Sequence, residues 1–288
     1  MKKTASEGLP QLKAAPAEPI GSDSRIRVGI GGWTYVPWRG GSFYPADLVQ
    51  RRELEYASRQ LTSIEINGTY YRAQKPATYS KWRDETPEDF VFSVKAPKRI
   101  VGSKVLSKTA HQVEDFIGGI VELGTKLGPL VWQFDQGKPI DAAEFEAFVG
   151  TLPAAFGGRK LRHVLDVRDP GFVDTDYLAL AGKHGMATVF TDSEEHPSFA
   201  DLTTDFVYAR LMRSRSSIES GYPDAELASW CDCALRWARG EDPEQLPHLG
   251  EPLQGTKPRE VFVYFISGAK ERNPAAAIAL LKRLAATR

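Results

Sequence analysis

The chain has 288 residues and lacks features that define several classes of protein. Its only cysteines, Cys231 and Cys233, lie in a segment with helical spacing, where residues two apart point to different faces. This arrangement excludes a redox pair and a zinc half-site. No uninterrupted apolar run approaches the ~20 residues that span a bilayer, so we expect no membrane insertion.

Neither sign of charge is in excess. Lysine plus arginine and aspartate plus glutamate each number 37, which gives a net charge of zero. A chain without net charge has no global field that attracts a polyanion or an anionic membrane, so any attraction for anions must be local. With no strongly basic face and no reading helix, sequence-specific nucleic-acid binding also lacks support.

Targeting and cofactor motifs are absent as well. Two lysines follow Met1, but the next residues do not form the apolar core of a signal peptide, so we expect a cytoplasmic protein. Gly29 and Gly31 do not complete a dinucleotide fingerprint, because Thr34 occupies the third glycine position. No fixed spacing of metal ligands is present, so we predict neither cofactor nor metal. A magnesium or manganese site built from two carboxylates stays an open alternative.

The chain does contain a repeated pattern in which apolar runs end in a polar residue. Seven of the eight runs with strand character show it, for example Ile64-Glu65-Ile66-Asn67 and Leu165-Asp166-Val167-Arg168. A parallel barrel buries the length of each strand and carries its working side chains where strands give way to loops. The pattern predicts a TIM-type (β/α)8 barrel over residues 25–288, preceded by a disordered tail over residues 1–24.

The periodicity places eight strand and helix pairs along the chain. The predicted strands are Arg27–Gly31, Ser63–Asn67, Phe90–Lys95, Leu130–Phe134, His163–Arg168, Ala187–Asp192, Phe206–Arg210 and Val261–Ser267. Gly128 and Pro129 are predicted to end the helix that precedes the fourth strand. The proline-rich segment 240–258 is predicted to be a surface insertion.

Side-chain alternation predicts which residues meet. Successive strand residues point to opposite faces, so Glu65 and Asn67 share one face while Ile64 and Ile66 share the other. If the apolar set packs outward on the helices, the polar set points into the mouth of the barrel. The residues predicted to converge there are Glu65, Lys95, Gln133, Asp166, Arg168, Asp192 and Arg210.

Several strings resemble the domain of unknown function 72 family, a group of barrel proteins without an established activity. The matches include Gly29–Tyr35, Trp38-Arg39-Gly40, Phe43-Tyr44-Pro45, Ile64–Arg72, Lys126–Leu130 and Val263-Tyr264-Phe265. The resemblance covers about residues 26–285 and implies a barrel, with no reaction attached.

The chain departs from that family at the ends of three strands. Where the resemblance implies a histidine after the fifth strand, this chain has Asp169, and where it implies one after the seventh, it has Met212. Two asparagines after the eighth strand are replaced by Ile266 and Ser267. Any activity that depends on those imidazoles or amides lacks its groups here.

The site hypothesis assigns roles to the convergent residues. Glu65 is the general base or acid and Asp166 a second catalytic carboxylate, while Lys95 is an electrophile or charge partner. Arg168 and Arg210 clamp an anionic group. The alternative is that Glu65 and Lys95 form a structural ion pair across neighbouring strands. The other predicted ligand-binding residues are Trp33, Tyr35, Asn67, Tyr70, Tyr71, Arg72, Gln133 and Asp192.

Two further groups of residues have a functional and a structural interpretation. The aromatic collar, formed by Trp33, Tyr35, Trp38, Tyr70 and Tyr71, suits a ligand with a flat or apolar face, but core packing is the ordinary fate of such rings. Arg210, Arg213 and Arg215 bracket the loop after the seventh strand, where barrels often bind phosphate. A solvated basic loop is the alternative for these arginines.

Three functions stay open. The first is an enzyme that acts on a small polar ligand bearing phosphate or carboxylate, by hydrolysis or proton transfer. The second is a non-catalytic ligand-binding or scaffold barrel whose family site has decayed, and the third is a metal-dependent phosphodiester hydrolase. The first predicts that Glu65→Gln abolishes turnover with little change in Tm, whereas a structural pair predicts a large loss of stability.

Overall fold

Eight parallel strands close into a barrel in a computed structural model that describes residues 25–137, 140–253 and 257–287. This confirms the predicted fold; the predicted tail over residues 1–24 lies outside the described residues. In chain order the barrel strands β1 to β8 are Ile26–Gly31, Ser63–Ile66, Val91–Lys95, Leu127–Phe134, His163–Val167, Ala187–Thr191, Phe206–Leu211 and Glu260–Phe265. Consecutive strands are neighbours throughout, and β1 closes the barrel by pairing with β8.

Seven helices of at least eight residues surround the strands in the described part of the chain. Helices α1 to α7 are Glu53–Gln60, Pro76–Asp84, Ala110–Ile120, Ala142–Thr151, Thr175–Lys183, Asp224–Arg239 and Asn273–Ala286. The predicted count of eight strand and helix pairs was too high by one helix, because residues 192–205 join β6 to β7 without one. This segment contains Pro197 and buries Phe199 and Ala200 from an irregular backbone. No helix in the described ranges is long and apolar enough to span a membrane.

The strands bury both faces, as a parallel barrel requires. Ile64, Ile66 and Val94 belong to the large core between the barrel and its helices. A second core fills the barrel itself with residues such as Val131 and Val164. The alternation predicted from the sequence therefore holds, and the inward face changes from apolar to polar toward the carboxyl ends of the strands.

The fourth strand begins three residues earlier than predicted. Gly128 and Pro129 lie inside β4 rather than in a helix stop before it. A Cβ on Gly128 would lie 2.7 Å from the Phe92 carbonyl oxygen, so the missing side chain lets β3 and β4 approach closely. The register between these strands shifts between Phe92 and Val94, and proline is tolerated at such irregularities.

Gly29 in β1 provides a test of the close packing between β1 and β2. A Cβ at this position would lie 2.0 Å from the Ser63 carbonyl oxygen of β2. We expect Gly29→Ala to lower the free energy of unfolding by about 3 kcal/mol, because the two strands must separate to admit a methyl group. Urea unfolding measures the change.

The matched control is Gly118→Ala in α3, where the nearest atom to an added Cβ is 3.8 Å away. There we expect a gain of up to about 1 kcal/mol, because alanine favours a helix more than glycine does. Equal unfolding midpoints for wild type and Gly29→Ala would contradict the close approach of β1 and β2.

Candidate functional site

The guanidinium of Arg210 lies at the centre of the barrel's mouth and is 2% exposed. Its Nε and Nη2 atoms donate to the two carboxylate oxygens of Glu65, each at 3.0 Å. Its Nη1 atom donates to Gln133 Oε1 at 3.0 Å and to Asp166 Oδ2 at 2.5 Å. Arg210 thus joins side chains from β2, β4, β5 and β7, and all three of its nitrogens are used by the protein.

Opposite charges keep Arg210 ionised despite its burial. Burial lowers the pKa of this guanidinium, but the carboxylates of Glu65 and Asp166 outweigh burial and raise the pKa above its usual value. Tyr208 also contacts Glu65: its hydroxyl donates to Glu65 Oε2 at 2.5 Å and lies 2.7 Å from Ser93 Oγ. Burial, followed by the charge of Glu65, raises the pKa of Tyr208 well above its usual value, so this hydroxyl stays a donor.

Glu65 is therefore held by three hydrogen bonds from two residues. Two bonds from Arg210 and one from Tyr208 occupy its oxygens, and the residue has no exposed surface. Its ion-pair partner is Arg210, and no ion pair joins it to Lys95 in the described ranges. A carboxylate in this position orients Arg210; proton exchange with a ligand would first require these bonds to open.

Lys95 ends β3 beside this cluster and has a different environment. Its Nζ atom lies 4.0 Å from the centroid of the Tyr70 ring, a cation–π contact, and makes no hydrogen bond or ion pair with any described residue. Burial lowers the pKa of Lys95 to about 8, and the positive charge of Arg210 acts in the same direction. The Lys95 residue as a whole is only partly buried.

Tyr70 and Asp135 connect Lys95 to the Arg210 cluster. The Tyr70 hydroxyl donates to one oxygen of Asp135, whose other oxygen accepts from Gln133 Nε2 at 2.6 Å. Burial raises the pKa of Asp135, but the bonds from Tyr70 and Gln133 outweigh burial and hold it below its usual value. Asp135 was absent from the predicted site, although it follows β4 directly and so fits the pattern of polar residues at strand ends.

Arg168 is the second cation of the mouth with unused donors. Its Nε atom donates to Asp166 Oδ2 at 3.2 Å, while neither terminal nitrogen has a partner among the described residues. His196 belongs to the irregular segment before β7. Burial lowers the pKa of its imidazole, and the positive charge of Arg168 lowers this pKa further. The Nδ1 atom of His196 is buried without a hydrogen-bond partner in the described part of the chain.

Asp192 is not part of the Arg210 cluster. One of its oxygens accepts from the Met212 backbone nitrogen at 2.5 Å and the other from the Tyr222 hydroxyl at 2.9 Å. Burial raises the pKa of Asp192. Asp192 therefore fixes the start of the loop after β7. The arginines of this loop that were predicted to bind phosphate form ion pairs, Arg213 with Glu194 at 2.9 Å and Arg215 with Glu226 at 2.8 Å.

The aromatic collar divides into buried and exposed members. Trp33 packs edge to face on Trp82 with centroids 4.9 Å apart, and Trp38 is fully buried. Tyr35 is partly buried under Lys270, whose Nζ atom lies 4.6 Å from the ring centroid. Tyr71 is 85% exposed, so only this ring projects into solvent.

The two remaining predicted residues follow β2. Asn67 is partly buried, and its amide lies against Gly31: a Cβ on that glycine would be 2.7 Å from Asn67 Nδ2. Arg72 is exposed and its guanidinium has no partner among the described residues. Metal ligands do not gather at the mouth, because no group of three His, Cys, Asp or Glu side chains in the described ranges is arranged to hold an ion.

The bonds of Glu65 lead to a prediction that differs from the expectation of unchanged stability. Glu65→Gln leaves the buried Arg210 with a single carboxylate, so we expect the free energy of unfolding to fall by about 3–5 kcal/mol. Glu55→Gln is the control, since it removes partly exposed ion pairs to Arg52 and Arg59 and should cost less than about 1 kcal/mol. Chemical denaturation distinguishes the two, and equal losses would contradict the assigned role of Glu65.

Comparison with known sequences identifies related proteins. The family model described as "Protein of unknown function DUF72" matches residues 27–288. UPF0759 protein YecE of Escherichia coli strain K12 is 27% identical over 141 residues, which cover 48% of each chain. UPF0759 protein YunF of Bacillus subtilis strain 168 is 31% identical over 77 residues, which cover 27% of this chain and 26% of that protein. The matched part thus spans about half of YecE and about a quarter of YunF.

Solved structures show the same fold. A DUF72 family protein from Thermotoga maritima superposes with a TM-score of 0.68 at 19% identity, covering 90% of this chain and 98% of that one. A DUF72 family protein from Enterococcus faecalis V583 superposes with a TM-score of 0.62 at 16% identity, covering 90% and 97%. With the family model matched from residue 27 to the last residue, this chain belongs to the DUF72 family of proteins of unknown function.

Proposed function

We propose that the protein is an enzyme that binds a small anionic ligand at the mouth of the barrel and transfers a proton through Lys95. The observation that carries the proposal is the contrast between the three cations of the mouth. Every nitrogen of the Arg210 guanidinium donates to a protein acceptor. The Lys95 amine and the terminal nitrogens of Arg168 have no acceptor among the described residues. An anionic ligand would supply the missing acceptors.

Carboxylate and phosphate groups fit this arrangement. The outer edge of a guanidinium offers parallel donors to two oxygens of one ligand group, and Arg168 presents that edge while Asp166 holds its Nε atom. Asp166 also bonds Arg210, so the position of Arg168 is tied to the rigid centre of the barrel. Such anchoring favours a defined orientation of the ligand over loose attraction.

The amine of Lys95 supports proton transfer. With a pKa of about 8, both its charged and neutral forms are populated near neutral pH, which suits a group that gives or accepts a proton. Tyr70 holds the side chain without taking its proton, because an aromatic ring offers no acceptor of comparable strength. Glu65, which is occupied by Arg210, acts as a positioning residue in this scheme.

A non-catalytic ligand-binding barrel is the second candidate. The observation that favours it is the engagement of the two inner carboxylates: Glu65 is fully bonded, and Asp166 bonds both Arg210 and Arg168. In that case the mouth binds the anion through Lys95 and Arg168, and no reaction follows. Ligand binding without turnover across a broad panel of small carboxylates and phosphates would support this candidate.

Binding of inorganic phosphate and malonate tests the anion site. We expect Arg168→Met and Lys95→Met each to weaken binding at least about tenfold, since each removes a charged donor worth about 1.5–3 kcal/mol. Isothermal titration calorimetry measures the affinities. The control is Arg215→Met, which removes a cation paired with Glu226 outside the cluster and should change affinity less than about twofold. Unchanged binding in the first two variants would rule out this site.

The lowered pKa of Lys95 predicts a pH-dependent difference in stability. The charged amine is disfavoured in the folded protein, so Lys95→Met should raise the free energy of unfolding by about 1–2 kcal/mol at about pH 7. Between the folded pKa of about 8 and the usual 10.5, the unfolded chain binds more protons than the folded one. Wild type therefore gains stability with rising pH and the advantage of the variant shrinks. Urea unfolding of both proteins at several pH values measures it, and a constant difference would contradict the prediction.

A further inference from the structure

A second feature of the mouth is a local excess of positive charge in a chain whose net charge is zero. Segments 67–80 and 96–109, which follow β2 and β3, contain six basic residues and no aspartate or glutamate. We call these six the basic rim: Arg72, Lys75, Lys98, Arg99, Lys104 and Lys108. Because both segments leave the carboxyl ends of adjacent strands, the rim lies on the same side of the barrel as Lys95.

The basic rim is exposed and not neutralised by the protein. All six side chains are exposed, and none makes an ion pair or hydrogen bond with a residue in the described ranges. Some surface cations elsewhere have partners, as in Lys160 with Asp205 and Lys183 with Glu146, whereas the rim brings six cations without partners into two neighbouring segments. Six like charges without ion-pair partners repel one another, so an anionic partner would relieve that repulsion.

The two segments form one continuous surface. The Thr69 hydroxyl donates to the Lys95 carbonyl oxygen at 2.6 Å and so ties the first segment to the strand that leads into the second. Tyr70, Lys98 and Lys104 line a common pocket of about 110 Å³. The exposed ring of Tyr71 packs edge to face on Tyr70, with centroids 5.4 Å apart, and so stands beside this pocket.

The opposite wall of the pocket is acidic, and its three carboxylates accept hydrogen bonds from neutral protein donors. Asp141 accepts from the Glu144 backbone nitrogen at 2.9 Å, and Glu144 accepts from the backbone nitrogen and hydroxyl of Ser107 at 3.1 and 3.2 Å. Asp135 is bonded by Tyr70 and Gln133. None of these carboxylates forms an ion pair with Lys98 or Lys104 in the described part of the chain, so the donors of both lysines stay available to a partner.

We propose that the basic rim binds single-stranded nucleic acid without sequence specificity, with phosphates on its lysine and arginine side chains and a base stacked on Tyr71. The combination of repeated exposed cations with an exposed aromatic face is the chemistry that holds single strands. The rim residues lie in loops or in helical turns of three or four residues and present no long helix to a groove, which disfavours a duplex. The proposal does not depend on the function proposed for Lys95 and Arg168.

Fluorescence anisotropy with labelled oligouridylate of about 12 nucleotides tests the proposal on the full chain. We expect Lys98→Glu, Arg99→Glu and Lys104→Glu, combined in one variant, to weaken binding at least about 30-fold. The matched control reverses three paired surface cations, Lys160→Glu, Lys183→Glu and Arg215→Glu, and has the same net charge. The control should bind within about threefold of wild type, because paired cations contribute little to phosphate binding.

Tyr71 separates stacking from charge. We expect Tyr71→Ala to weaken binding at least about fivefold and Tyr71→Phe to retain it, because stacking needs the ring and not the hydroxyl. The ring is 85% exposed, so neither change should unfold the protein; thermal denaturation checks this. For wild type, the logarithm of the affinity should fall with the logarithm of salt concentration with a slope of about −2 to −4.

Four results would overturn the proposal. In the first, wild type does not bind the oligonucleotide, and in the second, the rim and control variants lose the same affinity. In the third, uridine monophosphate competes as strongly as the oligonucleotide. In the fourth, the protein binds phosphatidylserine vesicles and not the oligonucleotide. Phosphate or malonate binding that depends on Arg168 would persist in each case, which distinguishes this failure from failure of the proposed enzymatic site.

Discussion

The burial of one arginine charge constrains the whole centre of this barrel. Arg210 is surrounded by strands on every side, and a guanidinium in such a place is tolerated only if acceptors meet its three nitrogens. Glu65, Gln133 and Asp166 meet them from three other strands. The register of those strands is therefore coupled to one side chain, since a shift by one residue would turn each acceptor away from the barrel interior.

The same charge shapes the chemistry above it. Burial is the main cause of the lowered pKa of Lys95; Arg210 lowers this pKa further and Glu65 opposes it, so the central ion pair also acts on an amine that it does not touch. Asp166 connects the two arginines, because it accepts hydrogen bonds from Arg210 at the centre and from Arg168 at the mouth. In the proposed function the inner residues are thus the support, and Lys95 and Arg168 are the groups that would contact the ligand.

Much of this was predictable from the sequence, and what was missed has physical causes. Polar residues at strand ends and the alternation of side chains predicted that Glu65, Gln133, Asp166 and Arg210 would converge. The pairing within the group was not predictable, because it depends on which side chains face each other across a closed barrel: Glu65 and Arg210 lie 145 residues apart. The sequence pattern predicts a helix stop at Gly128, but its role is to admit a neighbouring strand, and no local pattern identifies that neighbour.

Tyr70 links the central cluster to the basic rim. Its ring contacts Lys95, its hydroxyl bonds Asp135, and its neighbour Tyr71 is the exposed ring of the rim. An anion held anywhere near this tyrosine would favour the charged form of Lys95 and so raise its pKa from about 8. Ligand binding and protonation are then coupled: Lys95 would be an amine of mixed charge in the empty mouth and an ammonium beside a bound anion. In the proposed reaction it would therefore act first as a proton donor.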